Sequence, residues 1–173
     1  MGRPLQAVGW AAIVLSLASC ADDTVDANDG AASFIAYAAD FDGYRSWSQT
    51  TVFDDGGAGG SVHPGAELVE YINRPSPTDG GVFSEGTVIV KEGIDGDPAT
   101  RQAFAMAKRG GTYNAGGALG WEWFEVQNID AAGDVQIIWR GTVPPQGETY
   151  SGNVNGDCNT CHRQAPHDAV FDQ

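Results

Sequence analysis

Short runs of apolar and β-branched residues, bounded by glycine, proline and polar residues, recur along this chain, which is the pattern of β-strands. Four segments carry it most clearly, and these are residues 67–73, 87–92, 121–127 and 135–140. Residues 87–92 are the strongest of them, because they are β-branched and bounded by glycines. A polar loop containing Gly133 separates the last two and predicts an antiparallel hairpin. The pattern therefore predicts a mainly β (α+β) fold, with one antiparallel sheet and a few short helices.

Helical spacing is found in two places. Residues 34–47 carry aromatic side chains three and four positions apart, which predicts a helix with a break near its middle. Asp97 followed by Pro98 is typical of a helix N-cap and first position, and predicts one helical turn over residues 99–102. Periodicity does not decide whether residues 103–109 continue that helix or begin a strand.

The first twenty residues have the regions of an export signal. Arg3 precedes an apolar run at residues 7–17, which is shorter than the roughly 20 residues needed to span hydrocarbon. Residues 17–20 (LASC) resemble the lipobox of bacterial lipoproteins, in which cleavage precedes an acylated cysteine. We therefore expect a signal peptide over residues 1–19 and a lipid anchor on Cys20. The protein would then be held to a membrane in the periplasm or at the outer surface of a bacterial cell. The alternative is an ordinary cleavable signal in which Cys20 is incidental.

Composition limits the domain organisation and the partners. Residues 20–33 are small and acidic, and they predict a tether between the lipid and the folded part. Residues 34–173 then form one domain, since this length hardly allows two. The net charge of −14 argues against nucleic acid as a partner, because phosphate binding needs clustered cations.

A chemically specific motif lies near the C-terminus, where Cys158, Cys161 and His162 form a C-x-x-C-H sequence. Two thiols at this spacing can each add to one vinyl group of haem, and the histidine that follows is placed to ligate the iron. Export agrees with this chemistry, because c-type haem is attached outside the cytoplasm. The motif predicts one covalently bound haem c.

The alternatives to haem are a redox dithiol, a zinc half-site and a structural disulfide. A redox dithiol leaves His162 without a role and is usually found in a βαβ setting, which the pattern here lacks. A zinc site needs further ligands, and beyond carboxylates only His63 and His167 remain.

The second axial ligand of the iron is not evident from the sequence. The residues after the motif contain no methionine, and Met106 lies where filling a gap in the core accounts for it. His63 and His167 are each explained as surface histidines. We therefore expect a five-coordinate iron with an open face, as small-ligand binding or turnover requires.

Several segments together resemble the cytochrome P-460 family. They are GTVIVKE at 86–92, WEWF at 121–124 and the haem motif followed by DAVF at 168–171, with GYRSW at 43–47 and LVEYIN at 68–73 before them. The resemblance covers about residues 40–171. It implies a mainly antiparallel β domain that forms a homodimer, holds one c-type haem and exchanges electrons with a redox partner cytochrome.

The resemblance implies two possible activities. Members named cytochrome P-460 oxidise hydroxylamine, releasing nitrous oxide or nitric oxide, and a lysine at the position of Lys91 is joined to the porphyrin. Their relatives, the β-type cytochromes c-prime, bind nitric oxide without turnover. We expect hydroxylamine oxidation, with nitric oxide binding as the alternative and a tethered electron-transfer cytochrome as a third possibility.

Strand alternation places Ile89 and Lys91 on one face, so that Lys91 is directed toward the haem pocket if Ile89 lines it. The alternatives to a cross-link are exposure to solvent, or a non-covalent pair with a propionate or a carboxylate. Catalytic members also carry an acidic residue close after the motif or in the distal pocket. Here the first carboxylate after His162 is Asp168, and His167 is the candidate to carry protons in its place.

Overall fold

The computed structural model describes residues 34–52, 68–145 and 158–171. Six strands form one sheet in chain order, and each is antiparallel to its neighbour. They are β1 (Ser48–Val52), β2 (Leu68–Ile72), β3 (Val88–Gly93), β4 (Gln102–Lys108), β5 (Trp121–Asn128) and β6 (Val135–Gly141). The described residues also form 3₁₀ turns at Ala38–Asp40, Tyr44–Ser46 and Thr78–Gly80, and the helix α1 at Cys158–His162. The prediction of a mainly β, antiparallel fold with few short helices is confirmed.

Strand positions agree with the runs of apolar and β-branched residues in the sequence. The predictions at residues 67–73 and 87–92 and the hairpin formed by residues 121–127 and 135–140 are confirmed to within a residue or two. The undecided segment after residue 102 is a strand. β1 was not predicted, because SQTTV lacks an apolar stripe, and this strand is recognised only by its pairing with β2.

The helix predicted over residues 34–47 is wrong. This segment forms two 3₁₀ turns, and Gly43 lies between them at φ +65°, a left-handed conformation that glycine adopts without a steric cost. Phe41 and Tyr44 are nevertheless fully buried. The aromatic spacing therefore marks the side chains that attach the segment to the sheet.

The helical turn predicted over residues 99–102 is also wrong. Asp97 accepts hydrogen bonds from the backbone of Ala99 and Thr100, which closes a tight turn after β3. The chain is already extended at Gln102, where β4 begins. The Asp-Pro pair that is typical of a helix start here begins a turn between two paired strands.

The sheet divides its side chains between two faces, because successive residues of a strand point to opposite sides. Face A is the side that carries the cluster of Val69, Tyr71, Val88, Val90, Ala103, Ala105, Ala107, Phe124 and Val126, covered by Phe41 and Tyr44. Face B is the side that carries Ile89, Met106, Trp121, Trp123 and Trp139, together with Phe83, Ala118 and Val170. Cys158 and Ala169 pack against face B, so the C-terminal residues cover this side of the sheet.

Face A also contains buried carboxylates that are paired with arginines. Glu92 is fully buried and accepts hydrogen bonds from Arg45 and Arg101. Glu122 accepts two from Arg140, at 2.7 and 2.6 Å. Buried charges are tolerated only when they are paired in this way.

The predictions for the N-terminal part lie outside the described residues. These are the signal over residues 1–19, the lipid anchor at Cys20 and the tether over residues 20–33. His63 lies outside them as well. Among the helices of the described segments, none has the length and apolar character that a membrane crossing requires.

Candidate functional site

The two cysteines of the motif lie on the short helix α1. Cys158 and Cys161 are both half-buried thiols, and neither forms a disulfide bond. Cys158 packs against the apolar cluster of face B. Residues three positions apart share one side of a helix, so Cys158 and Cys161 lie on the same side of α1.

Asn159, between the two cysteines, joins α1 to the sheet and its loops. Its Oδ1 atom accepts hydrogen bonds from Asn114 Nδ2 at 2.7 Å, Trp123 Nε1 at 2.9 Å and Ala118 N at 3.0 Å. Its Nδ2 atom donates to the Thr142 carbonyl at 2.7 Å. The role of Asn159 in attaching α1 was not predicted, because the C-x-x-C-H motif leaves its two middle positions open. The only sign of it in the sequence is the amide side chain, which can both donate and accept hydrogen bonds.

The ring of His162 is fixed by a backbone carbonyl. Its Nδ1 atom lies 2.8 Å from the oxygen of Ala169. A carbonyl oxygen can only accept, so Nδ1 carries a proton, and in the neutral ring Nε2 is then the nitrogen whose lone pair can ligate a metal. The ring centroid lies 4.7 Å from that of Trp123 and 5.6 Å from that of Phe171. The histidine is thus held in an aromatic setting and in the tautomer that an iron ligand needs.

The carbonyl that fixes His162 belongs to a tight reversal of the chain. His167 and Val170 form an isolated β-bridge, in which Val170 N donates to the His167 carbonyl at 2.8 Å. Between them, Asp168 has φ +46° and Ala169 has φ +65°. Left-handed backbone is uncommon for residues that carry a Cβ atom. Surrounding contacts must therefore maintain this reversal.

Asp168 supplies most of those contacts. Its Oδ1 atom lies 2.6 Å from Lys108 Nζ, and its Oδ2 atom accepts a hydrogen bond from Phe83 N at 2.8 Å. The Asp168 carbonyl accepts another from Trp121 Nε1 at 2.6 Å. The first carboxylate after the haem motif is therefore engaged in holding the chain.

His167 is half-buried rather than fully solvated. Its ring packs directly over Gly80, where a Cβ atom would lie 2.6 Å from Nδ1. Gly80 has φ +70°, so this close approach and the backbone conformation both favour glycine. The described contacts of the His167 ring are packing contacts. Its role as a proton carrier stays a prediction.

Lys91 lies on the same side of β3 as Ile89, as strand alternation predicts. Its side chain is 12% exposed, and Nζ lies 3.8 Å from Oε2 of Glu70, its register partner on β2. A carboxylate partner was one of the alternatives to a porphyrin cross-link. The ion pair accounts for a lysine beside an apolar cluster, and the cross-link stays a prediction.

Face B also holds a buried carboxylate that sequence reasoning missed. Glu125 is 5% exposed, and its oxygens accept hydrogen bonds from Trp139 Nε1 at 2.7 Å and from Gln102 Nε2. It lies opposite Phe104 on β4, which in turn lies opposite Lys91 on β3. Two strand spacings, about 10 Å, separate the backbones of Lys91 and Glu125. Only the strand register brings these two residues onto one face.

The residues of the motif are of the kinds that a covalently attached haem requires. Two thiols on one side of a helix suit two thioether bonds, and one imidazole in the required tautomer suits the iron. A structural zinc ion takes four protein ligands. Across residues 34–52, 68–145 and 158–171, no three His, Cys, Asp or Glu residues are grouped as such a site would require.

Comparisons of the chain with protein-family models, with curated proteins and with solved structures found no match.

Proposed function

We propose that the protein is an exported, lipid-anchored c-type cytochrome with a single haem, and that it oxidises hydroxylamine to nitrogen oxides. The observation that carries the haem assignment is the fixed His162 ring, whose Nδ1 proton is held by Ala169 beside two half-buried thiols. Cys158 and Cys161 would hold the porphyrin, and His162 would ligate its iron. The haem, when bound, supplies the electron-accepting and ligand-binding chemistry.

Turnover rather than gas binding is supported by the polar groups of face B. Conversion of two hydroxylamine molecules to nitrous oxide and water releases four protons and four electrons. The electrons leave to an external acceptor, for which we propose a redox partner cytochrome. The protons need a base close to the substrate, and the buried carboxylate of Glu125 is the candidate on this face. Lys91, paired with Glu70, is the candidate for the porphyrin cross-link.

Maturation of the full chain in a bacterial periplasm with its haem-attachment machinery tests the haem assignment. Intact mass should show one haem added through two sulfur atoms and acyl chains on Cys20. The Cys158→Ser, Cys161→Ser double variant is the matched control and should carry no covalent haem. A colourless wild-type protein from the same cells would contradict the assignment.

Turnover is tested with the haem-loaded protein, hydroxylamine and an artificial electron acceptor. Glu125→Gln should lower the rate roughly 10²-fold, because the proton acceptor is lost. Glu122→Gln is the matched control, since it neutralises a buried carboxylate of the same strand on face A. A haem-loaded wild type that never consumes hydroxylamine would exclude the enzyme.

Nitric oxide binding is the second candidate. The Lys91–Glu70 ion pair favours it, because it explains Lys91 without a covalent bond to porphyrin. It predicts an ordinary haem c spectrum, tight binding of nitric oxide and no oxidation of hydroxylamine. We also propose a homodimer, which sedimentation of the haem-loaded protein would test.

A further inference from the structure

We propose that the buried ion pair of Lys108 and Asp168 positions the proximal ligand. It holds the Ala169 carbonyl against His162 Nδ1 and so sets the orientation and tautomer of that ring. The consequence for iron rests on the proposed function. The effect on the His162 ring does not, because the contacts that carry it are all between residues of the chain.

The pair is built into face B. Lys108 is 5% exposed, and besides Asp168 its Nζ atom contacts the Leu119 carbonyl at 3.1 Å and lies 5.0 Å from the centre of a Trp121 ring. The Asp168 side chain is 12% exposed. An ammonium group at such a site requires its carboxylate, because an unpaired buried charge is strongly unfavourable.

The pair acts on His162 through one peptide unit. Asp168 and Ala169 are consecutive residues in the left-handed region, which is sterically unfavourable for residues that carry a Cβ atom. Without contacts on Asp168, these two residues would relax toward negative φ, and the Ala169 carbonyl would rotate away from the His162 ring. Lys108 and Phe83 hold the Asp168 carboxylate from two sides and prevent this rotation. The residue that anchors the segment thus comes from β4, 60 positions earlier in the sequence.

The held carbonyl has a chemical consequence at the opposite nitrogen. A hydrogen bond from Nδ1–H to a backbone oxygen fixes the tautomer and raises the basicity of Nε2 as a metal ligand. A more basic axial imidazole favours ferric over ferrous iron. Loss of the hydrogen bond should therefore shift the haem toward the reduced state.

The Asp168→Asn variant tests the inference in two forms of the protein. In the haem-free chain, nitrogen NMR of the His162 ring should change from one fixed tautomer to a mixture. In the haem-loaded chain, the ferrous-to-ferric ratio at a fixed potential should rise roughly tenfold, which is about 59 mV for one electron. Lys108→Gln, which keeps a donor, should give a smaller shift in the same direction, and it serves in place of Asp168→Asn if that variant does not fold.

Glu122→Gln on face A is the control for a general loss of stability. It should lower the free energy of unfolding and leave the His162 tautomer and the haem potential unchanged. If Asp168→Asn also lowers only stability, the ion pair has no positioning role and the inference is overturned. Failure of the wild type to take up haem would contradict the proposed function, while the tautomer measurement would still decide the inference.

Discussion

The two faces of the sheet use their buried polar groups differently. On face A the carboxylates of Glu92 and Glu122 pair with arginines, and these contacts join strands and loops of the fold to one another. On face B each buried indole donates to a residue of the candidate site: Trp121 to Asp168, Trp123 to Asn159 and Trp139 to Glu125. The contacts of face A therefore join parts of the fold, whereas the Trp121 and Trp123 contacts of face B hold the C-x-x-C-H segment and the reversal that follows it. Substitutions on the two faces should have separable effects.

Glu92→Gln should give the largest loss of stability. The variant leaves the guanidinium groups of Arg45 and Arg101 facing a neutral amide in a buried site, which we expect to lower the free energy of unfolding by about 3 kcal/mol. Denaturant unfolding of the haem-free chain measures this loss. The His162 tautomer should stay unchanged, and a change there would show that the faces are not independent.

Asn159→Ala should affect the site more than the fold. It removes four hydrogen bonds and leaves the indole N–H of Trp123 without its acceptor, so unfolding should become easier by about 2 kcal/mol. The yield of covalent haem should fall as well, because α1 loses its attachment to the sheet. Asn128→Ala is the control, as it removes an amide contact with the Arg101 carbonyl away from α1. Equal haem yields in the two variants would contradict the role of Asn159.

Lys91→Met should have little effect on stability. Both members of the Lys91–Glu70 pair are partly exposed, so its loss should change the free energy of unfolding by less than about 1 kcal/mol. If the cross-link forms, wild type should show a red-shifted Soret band and the variant should not. Glu70→Gln removes the ion pair and keeps the lysine, so it should retain the shift. Identical spectra for wild type and Lys91→Met would favour nitric oxide binding.

Protonation of Asp130, in the β5–β6 loop, should have the smallest effect on stability. Its Oδ1 atom accepts hydrogen bonds from the backbone N–H groups of Asp134, Ala132 and Gly133, which lower its pKa below the ordinary value of 3.8. Since the folded-state pKa is depressed, the stabilisation is present above pH 3.8 and is lost as the pH falls through the folded value. The amide shift of Gly133 should report this titration.

Asp130→Asn is the matched control for that titration. An amide can still accept from the loop backbone, but it has no proton to gain in this range. The acid-dependent shift of Gly133 should therefore disappear in the variant. A shift that persists would assign the titration to Asp134, whose pKa is raised, chiefly by burial and also by the charge of Asp130.

The sequence by itself determined the features that depend on neighbours along the chain. Apolar and β-branched runs between turn residues located β2, β3 and the β5–β6 hairpin. Strand alternation assigned Lys91 to one side of β3, because side-chain direction in a strand has a fixed period of two. The spacing of Cys158, Cys161 and His162 predicts haem attachment without any tertiary information, since it is a matter of covalent reach. Aromatic spacing over residues 34–47 was misleading, because two short turns separated by Gly43 bury the same side chains as a helix.

Only the tertiary structure decided which distant residues meet at the site. Glu125 joins Lys91 on face B through the register of three strands, and Asn159 finds four partners in separate loops and strands. Lys108 of β4 pairs with Asp168 on face B and so connects a central strand to the carbonyl that fixes His162. A buried charge or amide needs a partner, but local sequence does not specify which one, because that choice depends on how the strands pair and where the chain ends pack.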